Sequence, residues 1–418
     1  MTRRVVVVGQ GYVGLTLALR AVEVGFDVRG IDLSGERIDA LRSGRSYVDD
    51  IPDDRVESAN STGRYRVSSD YTTTAGFNVA VITVPTPLRE GTPDLSHIEN
   101  AARALAPNLR PGATVILEST TYPGTTEELV APILEDSGLR AGADFHLGYS
   151  PERVDPANRQ WTLENTPKVV SGIDDDSRKS VKEFYDQLVE RTVEVSAPKV
   201  AELTKLLENT FRHVNVALVN ELAMFADDLG IDVWEAIDTA STKPFGYMRF
   251  TPGPGVGGHC LPIDPSYLSW QVRRTLGRPF RFVELANDVN DHMPDWVVHR
   301  ITHLLNARER PVRGSRILLL GVAFKPNTSD ARESPALRVA DLLLELGADV
   351  SAVDTHVQVT QLDRSVPLVA PSPRVYAEAD LVVLLTDHDD LDYDDVLAHA
   401  QQVFDTRHRL AGPRVVSL

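Results

Sequence analysis

The chain has 418 residues, of which 43 are Lys or Arg and 60 are Asp or Glu, so its formal net charge is −17. This acidic balance argues against a dedicated nucleic-acid or membrane-surface binder, and the length predicts two or three domains. A single cysteine excludes an intramolecular disulfide. Because we find neither a targeting segment nor an apolar run of membrane-spanning length, we expect a cytoplasmic protein with no nucleic-acid or membrane partner.

Strands alternate with helices along the first part of the chain. The β-branched run at 5–8 predicts a buried strand, and it is followed by a helical segment over 15–24 and a strand over 26–31. The next predicted elements continue the alternation, strand then helix, at 79–84, 96–105, 114–118 and 125–135. Such alternation predicts parallel βαβ units in a doubly wound sheet.

The middle of the chain is mainly helical. A long helix is predicted over 197–229, and its apolar residues recur at steps of three and four, as one buried face requires. These residues are Leu203, Leu206, Leu207, Phe211, Val214 and Leu218. A second helix is predicted over 282–306, with a kink or break at Pro294. The loop at 251–260, between the two helices, is rich in glycine and proline.

The last hundred residues resemble the first hundred. Residues 317–320 repeat the strand at 5–8, and Gly347 to Asp354 repeats the seven-position spacing from Gly25 to Asp32. The second copy is longer over 323–334, where it lacks the glycines of the first copy but carries Lys325 and Arg332. We therefore predict an α/β chain with two Rossmann-like doubly wound parallel-sheet domains, joined by a long central helix and helical segment.

The predicted domain boundaries follow from this pattern. Residues 1–196 form a dinucleotide-binding domain, residues 197–308 a central helical domain with the cysteine loop, and residues 309–418 a second Rossmann-like domain.

A dinucleotide fingerprint opens the first domain. Gly9-x-Gly11-x-x-Gly14 lies between a strand and a helix, where glycines permit a tight turn and close approach of the backbone to a pyrophosphate. Asp32, 18 positions after Gly14, ends the second strand, where a carboxylate binds a ribose hydroxyl and repels the 2′-phosphate of NADP. The pattern predicts NAD as the cofactor. The alternative is a glycine turn in a sheet that binds no ligand.

Cys260 is either a small buried hydrophobic residue or a reactive thiol. It follows four glycines in eight residues, so a ligand could approach it closely, and nearby backbone N–H groups would stabilise a thiolate. We favour a nucleophilic role, for which the adjacent His259 is a candidate base. A lone cysteine makes a structural zinc site improbable.

Three other polar residues are candidates for chemistry. Lys205 and Asn209 share one face of the long helix, although Lys205 could equally be a lysine with a solvated head group. Glu152 follows a proline in a loop and suits general base catalysis, or it caps a backbone N–H. The acidic tract at 387–395 has the irregular spacing of a solvated helix start, so we expect no metal site.

Several stretches together resemble the UDP-glucose/GDP-mannose dehydrogenase family over essentially the full length of the chain. They are Val8-Gly-Gln-Gly-Tyr-Val-Gly14, Glu118-Ser-Thr120, Ser150-Pro-Glu-Arg153, Ala201-Glu-Leu-Thr-Lys-Leu-Leu-Glu-Asn209, Gly-Gly-His-Cys260-Leu-Pro-Ile-Asp264, Gly321-Val-Ala-Phe-Lys325, Asp330-Ala-Arg-Glu-Ser334 and Phe404-Asp-Thr-Arg407. The resemblance implies oxidation of the C6 alcohol of a nucleotide-linked sugar to a carboxylate, with two NAD⁺ consumed.

The resemblance also implies a role for each matching residue. Cys260 would capture the aldehyde as a thiohemiacetal, which is oxidised to a thioester and then hydrolysed. Asp264 and Thr120 would position water and assist proton transfer, and Lys205 and Asn209 would stabilise the developing oxyanion. Glu152 matches an acidic residue implicated in thioester hydrolysis.

The remaining carried-over residues belong to the two binding sites. The implied cofactor site consists of Gly9, Gly11, Tyr12, Val13, Gly14, Asp32, Arg37, Thr86 and Thr120. The implied site for the UDP-sugar consists of Glu152, Arg153, Lys205, Asn209, Phe250, Gly257, Lys325, Arg332 and Arg407. The resemblance further implies a homodimer or higher homo-oligomer, formed through the central helices.

One departure bears on the substrate. Family members closest to UDP-glucose dehydrogenase have a second Glu four positions after Glu152, where this chain has Pro156, and Asp155 cannot be assumed to replace it. The runs at 150–156 and 242–248 are more similar to the branch that acts on UDP-N-acetylhexosamines. UDP-glucose, dTDP-sugars and GDP-sugars stay open as alternatives.

Two other functions remain as alternatives. A two-electron hydroxyacid dehydrogenase shares a Rossmann start and a helical continuation, but it needs neither the cysteine loop nor a second Rossmann-like domain. A catalytically silent sensor of nucleotide sugars would require a broken catalytic set, whereas Cys260, Lys205, Asn209 and Asp264 are all present.

Overall fold

The computed structural model describes residues 3–89, 91–155, 158, 160–258, 261–358 and 366–418. His259, Cys260 and Pro156 lie outside the described residues. The chain divides into two compact units. Unit 1 is Met1–Glu208 with Ser266–Leu276, and unit 2 is Asn209–Pro265 with Gly277–Leu418.

Unit 1 is built on a parallel sheet. Its strands in chain order are β1 (Arg4–Val8), β2 (Asp27–Ile31), β3 (Tyr65–Ser68), β4 (Val79–Ile82), β5 (Leu88–Arg89), β6 (Thr92–Pro93), β7 (Thr114–Leu117), β8 (His146–Tyr149), β9 (Lys168–Val170) and β10 (Thr192–Glu194). Six of them form one sheet in the order β3-β2-β1-β4-β7-β8, with every pair parallel. This is the doubly wound order of dinucleotide-binding domains, with the switch point between β1 and β4.

Helices cover this sheet. In chain order they are α1 (Tyr12–Glu23), α2 (Gly35–Arg42), α3 (Asp53–Ser61), α4 (Ser96–Leu105), α5 (Ala131–Glu135) and α6 (Asp175–Tyr185). The predicted helix over 125–135 begins instead with a π-helical turn, Thr126–Val130, before α5. The strands β1, β4 and β7 are apolar apart from their first residues Arg4 and Thr114, and all but Arg4 of their residues are buried, as continuous apolar runs require.

The remaining helices, in chain order, are α7 (Pro198–Leu229), α8 (Val233–Ser241), α9 (Asp264–Leu276), α10 (Arg281–Asn306), α11 (Pro335–Glu345), α12 (Pro373–Glu378) and α13 (Tyr393–His399). No helix among the described residues is both long and apolar enough to span a membrane. Helix α10 continues through Pro294 without a break. Pro294 cannot donate to the carbonyl of Asn290, and the glycine-rich loop approaches that carbonyl, since a Cβ built on Gly255 would lie 3.1 Å from it.

The long helix α7 has the predicted length, but the prediction of one buried face is wrong. Of the six residues expected on that face, Leu206 is fully buried, whereas Leu203, Leu207, Phe211 and Leu218 are 44–62% exposed. Helical periodicity shows that apolar residues share a face. It does not show whether the chain itself covers that face.

Unit 2 contains the second parallel sheet. Its strands are β11 (Arg316–Leu320), β12 (Asp349–Val353), β13 (Leu381–Leu384), β14 (Val403–Asp405) and β15 (Val415–Ser417). Their order is β12-β11-β13-β14-β15, again with every pair parallel. The strand β11 pairs with β12 as β1 pairs with β2, each over five residues, so the predicted pair of Rossmann-like sheets is confirmed.

The turn between β1 and α1 assigns a different constraint to each glycine of the fingerprint. Gly9 has φ of +91°, and a Cβ there would lie 2.7 Å from the carbonyl oxygen of Thr83. A Cβ on Gly14 would lie 1.8 Å from the carbonyl oxygen of Gly9, so only glycine lets the helix pack this closely. A Cβ on Gly11 would meet no atom of the described residues within 4 Å.

We therefore expect Gly14→Ala to lower the free energy of unfolding by about 2 kcal/mol or more, because the new methyl group would displace backbone atoms. Gly11→Ala is the matched control. Its φ of −74° suits any residue, so its unfolding free energy should stay within about 1 kcal/mol of wild type. Chemical denaturation of both variants measures the difference, and equal losses would contradict the assignment.

Candidate active site

The carboxylate of Asp32, one residue beyond β2, is fixed by backbone N–H groups. Its Oδ2 accepts from the N–H of Gln10 at 2.9 Å, and its Oδ1 accepts from the N–H of Ser34 at 2.9 Å. The guanidinium of Arg37 lies 3.5 Å from Oδ2. Asp32 and Arg37, both predicted from sequence, are thus brought together at the edge of the sheet where folds of this kind bind a dinucleotide.

Gln10, which the sequence did not single out, anchors the glycine turn. Its buried side-chain amide donates to the carbonyl of Val7 at 2.9 Å and accepts from the Tyr65 hydroxyl at 2.7 Å. The Tyr47 hydroxyl donates to the Gln10 carbonyl at 2.5 Å. The turn is therefore rigid. With the open side of Gly11 and the carboxylate of Asp32, its residues fit the pyrophosphate and ribose of NAD.

The other predicted cofactor residues also lie in unit 1. Tyr12 and Val13 begin α1, and Thr120 follows β7. Burial raises the pKa of Tyr12 well above its usual range, and the charges of Asp50 and Glu152 add to the increase. The carbonyl of Thr86 accepts from the Tyr267 hydroxyl at 2.9 Å.

A buried glutamate on α7 anchors the loop that follows Thr120. The carboxylate of Glu202 accepts from the backbone N–H of Gly124 at 2.6 Å and from the N–H of Thr126 at 3.0 Å. It also accepts from the Thr126 hydroxyl at 2.7 Å. Glu202 therefore fixes the second turn of α7 to the loop that follows Thr120.

Lys205, three residues further along the same helix, binds the predicted Glu152 loop. Its Nζ donates to the backbone carbonyl of Glu152 at 2.6 Å. The neighbouring Arg153 donates to both carboxylate oxygens of Glu208, at 2.7 and 3.3 Å, and to the carbonyl of Pro167 at 2.7 Å. The structure thus brings Glu152 and Lys205 together, whereas the side chain of Arg153 is used to tie the loop to α7.

The carboxylate of Glu152 lies in a buried ionic cluster that sequence reasoning missed. Lys168, at the start of β9, donates to Glu152 Oε2 at 3.1 Å and also to Glu118 Oε1. Tyr185, at the end of α6, donates to Glu118 Oε2 at 2.7 Å. A lysine at the start of an apolar strand was a sign in the sequence of a buried charge. Its partners are 16 and 50 positions away, however, and no periodicity relates them to it.

The two carboxyl groups of this cluster have widely different pKa values, although burial acts in the same direction on both. Burial raises the pKa of Glu118 to about 7. Burial acts in the same direction on Glu152, but the Lys168 ammonium and hydrogen bonds to the carboxylate, among them one from the N–H of Val154, outweigh it and lower the pKa of Glu152 to about 2. Glu152 is therefore ionised at neutral pH and is a poor proton acceptor.

In unit 2, the predicted residues Asn209 and Asp264 contact each other. The side-chain amide of Asn209 donates to Oδ2 of Asp264 at 2.5 Å. Asp264 is buried and opens α9, four positions after Cys260, whose own placement lies outside the described residues. Two of the candidates for chemistry are therefore held together next to the cysteine loop.

The glycine-rich loop packs tightly on the C-terminal part of the chain. A Cβ on Gly257 would lie 2.7 Å from the carbonyl of Glu333 and 3.0 Å from Cβ of Phe324. Gly258, with φ of +81°, lies against the Phe324 ring. A Cβ on Gly253 would lie 2.6 Å from a guanidinium nitrogen of Arg407. These glycines allow the loop to contact residues next to Lys325 and to contact Arg407 itself.

A cavity of about 590 Å³ lies beside this loop within unit 2. Val256 and Pro262, which flank the cysteine, line it together with Arg332 and part of α10. The Arg332 guanidinium is paired with Asp330 at 2.6 Å. Phe250 packs its ring against Phe211 at 5.8 Å between centroids.

His388 and Asp390, two residues of the acidic tract, lie near His356. His356, His388 and Asp390 present ligand atoms within 4.8 Å of one another, an arrangement that could hold a metal ion. Both ring nitrogens of His388 already have hydrogen-bond partners, the N–H of Asn327 at 3.0 Å and the carboxylate of Asp354 at 3.1 Å.

Comparison with known proteins identifies the family. The UDP-glucose/GDP-mannose dehydrogenase family matches the chain in three parts: its NAD binding domain over residues 3–189, its central domain over 199–292 and its UDP binding domain over 318–412.

Individual relatives are similar along almost the whole chain. The UDP-N-acetyl-D-mannosamine dehydrogenase of Pyrococcus horikoshii is 34% identical over 386 residues, which cover 92% of this chain and 89% of that protein. The NDP-N-acetyl-D-galactosaminuronic acid dehydrogenase of Ralstonia solanacearum is 33% identical over 99% of this chain and 98% of its own length. A solved structure of UDP-D-ManNAc dehydrogenase from Pyrococcus horikoshii superposes with a TM-score of 0.89 at 33% identity, covering 99% of this chain and 98% of that one. The chain therefore belongs to the UDP-glucose/GDP-mannose dehydrogenase family and is an NAD-dependent nucleotide-sugar dehydrogenase.

Proposed function

We propose that this enzyme oxidises the C6 hydroxyl of a UDP-N-acetylhexosamine to a carboxylate, with UDP-N-acetylmannosamine the first candidate. The observation that carries the choice of sugar is the near-full-length similarity to relatives whose names specify N-acetylated sugars. The proposal also assigns NAD binding to residues 1–196, the cysteine loop to the central helical residues 197–308, and binding of the sugar nucleotide to residues 309–418. A cytoplasmic location is also part of the proposal, because a nucleophilic thiol must stay reduced.

The proposed reaction proceeds in four balanced steps. The C6 alcohol loses a hydride and a proton and becomes an aldehyde. The Cys260 thiolate adds to the aldehyde carbon, and the resulting oxyanion takes up a proton to give a thiohemiacetal. Loss of a second hydride and proton gives a thioester, and water then cleaves the C–S bond to release the carboxylate and the thiol. The glycine turn and Asp32 would hold NAD⁺, which would supply the hydride acceptor for each oxidation.

Lys205 and Asn209 are proposed to stabilise the oxyanion that develops at C6. They lie one turn apart on α7, and each is oriented by a partner: Lys205 by the Glu152 carbonyl and Asn209 by the Asp264 carboxylate. An amide nitrogen carries two N–H donors, so Asn209 can bind Asp264 with one and donate with the other. Preorganised donors of this kind lower the barrier because they need no reorganisation during the reaction.

Water activation is assigned to Asp264 and Thr120 and not to Glu152. A carboxylate whose pKa is near 2, with both oxygens already hydrogen-bonded, accepts a proton poorly. We propose that Glu152 acts through its backbone carbonyl, which orients Lys205, and through its fixed negative charge.

The second Rossmann-like sheet is proposed to bind the UDP part of the substrate. Lys325, Arg332 and Arg407 supply positive charge for its diphosphate, and Phe250 and Gly257 line the site. What supports this assignment is the close packing of the glycine-rich loop on Phe324 and Arg407 and the match to the family's UDP binding domain.

We expect two NADH per molecule of sugar consumed, measured by absorbance with purified enzyme and limiting substrate. Cys260→Ser should stop carboxylate formation while the dissociation constant for NAD stays within about twofold of wild type, because the cofactor contacts are in unit 1. One NADH per sugar would indicate two-electron chemistry. Undiminished uronate production by Cys260→Ser would contradict the nucleophile assignment.

Initial rates with a panel of nucleotide sugars test the choice of substrate. At least one UDP-N-acetylhexosamine should give a kcat/KM at least about tenfold above that of UDP-glucose. A site that hydrogen-bonds the N-acetyl group would bind a sugar without that group much more weakly. The dTDP- and GDP-linked counterparts test the nucleotide. A preference for UDP-glucose or for a GDP-sugar would contradict the proposal.

We also propose that the enzyme is a homodimer in which α7 packs against α7 of a second copy. A stripe of large apolar residues, 43–72% exposed, runs along the helix in steps of three and four, apart from one step of seven between Phe211 and Leu218. The residues of this α7 stripe are Val200, Leu203, Leu207, Phe211, Leu218, Leu222, Phe225 and Leu229. A continuous apolar patch of this length is typical of a protein–protein interface.

The double variant Leu222→Glu with Phe225→Glu should be monomeric at micromolar concentrations, because symmetry would bury unpaired carboxylates of both copies. Lys179→Gln, on the exposed surface of α6, is the control for a change in surface charge. Light scattering after size-exclusion chromatography gives the masses. A monomeric wild type, or an unchanged mass of the double variant, would refute the interface.

A further inference from the structure

We propose that Lys168, Glu118 and Tyr185 are positioning residues, which orient Glu152 and, through Glu152, the ammonium of Lys205. This inference rests on the proposed function, because it takes Lys205 to act on the sugar. None of the three is assigned a contact with the substrate or the cofactor. We call them the Lys168 cluster.

Each member of the Lys168 cluster is attached to a regular element of unit 1. Glu118 follows β7, and its N–H donates to the carbonyl of Ile82 in the neighbouring strand at 2.9 Å. Lys168 opens β9, and its N–H donates to the carbonyl of Arg191 at 2.9 Å. Tyr185 is the last residue of α6. The cluster is therefore supported by backbone that the sheet and helix hold in place.

Hydrogen bonds run from this support to the loop. The Tyr185 hydroxyl donates to one oxygen of Glu118, at 2.7 Å, and Lys168 donates to the other oxygen. The same ammonium donates to Oε2 of Glu152 at 3.1 Å. The ammonium thus bridges the carboxyl groups of Glu118 and Glu152, which are also in hydrogen-bond contact with each other.

The hydrogen bonds of the Glu152 side chain determine where its backbone carbonyl lies. Its Oε1 accepts from the backbone N–H of Arg153 at 2.8 Å and of Val154 at 2.6 Å, so the carboxylate is folded back on its own loop. The carbonyl of the same residue accepts from Lys205 Nζ at 2.6 Å. A carboxylate that rotated away would release these N–H groups and allow the peptide that holds Lys205 to turn.

Stability alone does not account for the Lys168 cluster. The side chain of Lys168 is 3% exposed and that of Glu118 is 0% exposed, so the ions have lost almost all their hydration. Replacing such buried ion pairs by apolar residues of the same size is often neutral or stabilising. Orientation of a neighbouring functional loop is a role that apolar residues could not perform.

The charges in the cluster predict a pH dependence of activity, which a purely structural role of these residues would not produce. Glu152 is surrounded by the ammonium of Lys168, the carboxyl of Glu118 and the hydroxyls of Tyr12 and Tyr185, with Lys205 on its carbonyl. The ammonium keeps the Glu152 carboxylate ionised against the effect of burial. Without it, burial remains and the pKa of Glu152 rises, so this carboxylate takes up a proton as the pH falls.

The test is the double variant Lys168→Met with Glu118→Gln, which removes the ion pair without leaving Glu118 as an unpaired charge. We expect kcat to fall at least about tenfold at pH 6 and less at pH 9, where Glu152 is ionised again. The dissociation constant for NAD should stay within about twofold of wild type.

Two further variants separate positioning from stability. Val181→Ala removes a fully buried side chain one turn before Tyr185 without touching a polar group, and its kcat should match wild type despite a lower unfolding temperature. Tyr185→Phe keeps every charge and removes one hydroxyl. It should lower kcat about threefold, so the inference stays testable if the double variant does not fold.

A double variant with wild-type kcat and an unchanged pH profile would overturn the inference, and so would an equal loss of kcat in Val181→Ala. Wild-type kcat in Tyr185→Phe would overturn it as well. These failures differ from a failure of the proposed function. The proposed function is tested with the wild-type enzyme, which fails the test if it does not produce two NADH per N-acetylhexosamine.

Discussion

The site in unit 1 depends on how the charge of one buried lysine is balanced. An ammonium without water needs a negative charge beside it, which the ionised Glu152 supplies, and Lys168 also contacts the carboxyl group of Glu118. Glu118 belongs to the sheet and Glu152 to a loop, so the requirement for charge balance fixes the loop relative to the sheet. The backbone carbonyl of Glu152, which binds Lys205, therefore has a defined position.

Helix α7 receives its orientation in unit 1 from three polar residues at consecutive turns. Glu202 binds the loop after Thr120, Lys205 binds the Glu152 carbonyl, and Glu208 binds Arg153. Residues at i, i+3 and i+6 lie along one side of a helix, and the exposed apolar residues Leu203 and Leu207 project from another. The first half of this helix thus combines a polar side that binds unit 1 with an exposed apolar side, which is part of the α7 stripe.

The two Rossmann-like sheets use the same backbone device for different purposes. Asp32 follows β2 and accepts the N–H of Gln10, while Asp354 follows β12 and accepts the N–H groups of Val322 and Ala323. The first copy keeps glycines at its turn, which lets a pyrophosphate approach. In unit 2 the glycines that permit close approach belong instead to the loop over 253–258, which packs on Phe324 and Arg407.

The sequence by itself determined the alternation of strands and helices, the repeat, the dinucleotide fingerprint and the family, because these are local patterns or fixed spacings. It also paired Asn209 with Lys205 on one helix, since a helix has a constant period. Only the tertiary structure decided that most of the apolar face of α7 is exposed and that Lys168 joins Glu118 and Glu152. Coverage of a face and balance of a buried charge depend on contacts between residues far apart in the chain, which no local spacing encodes.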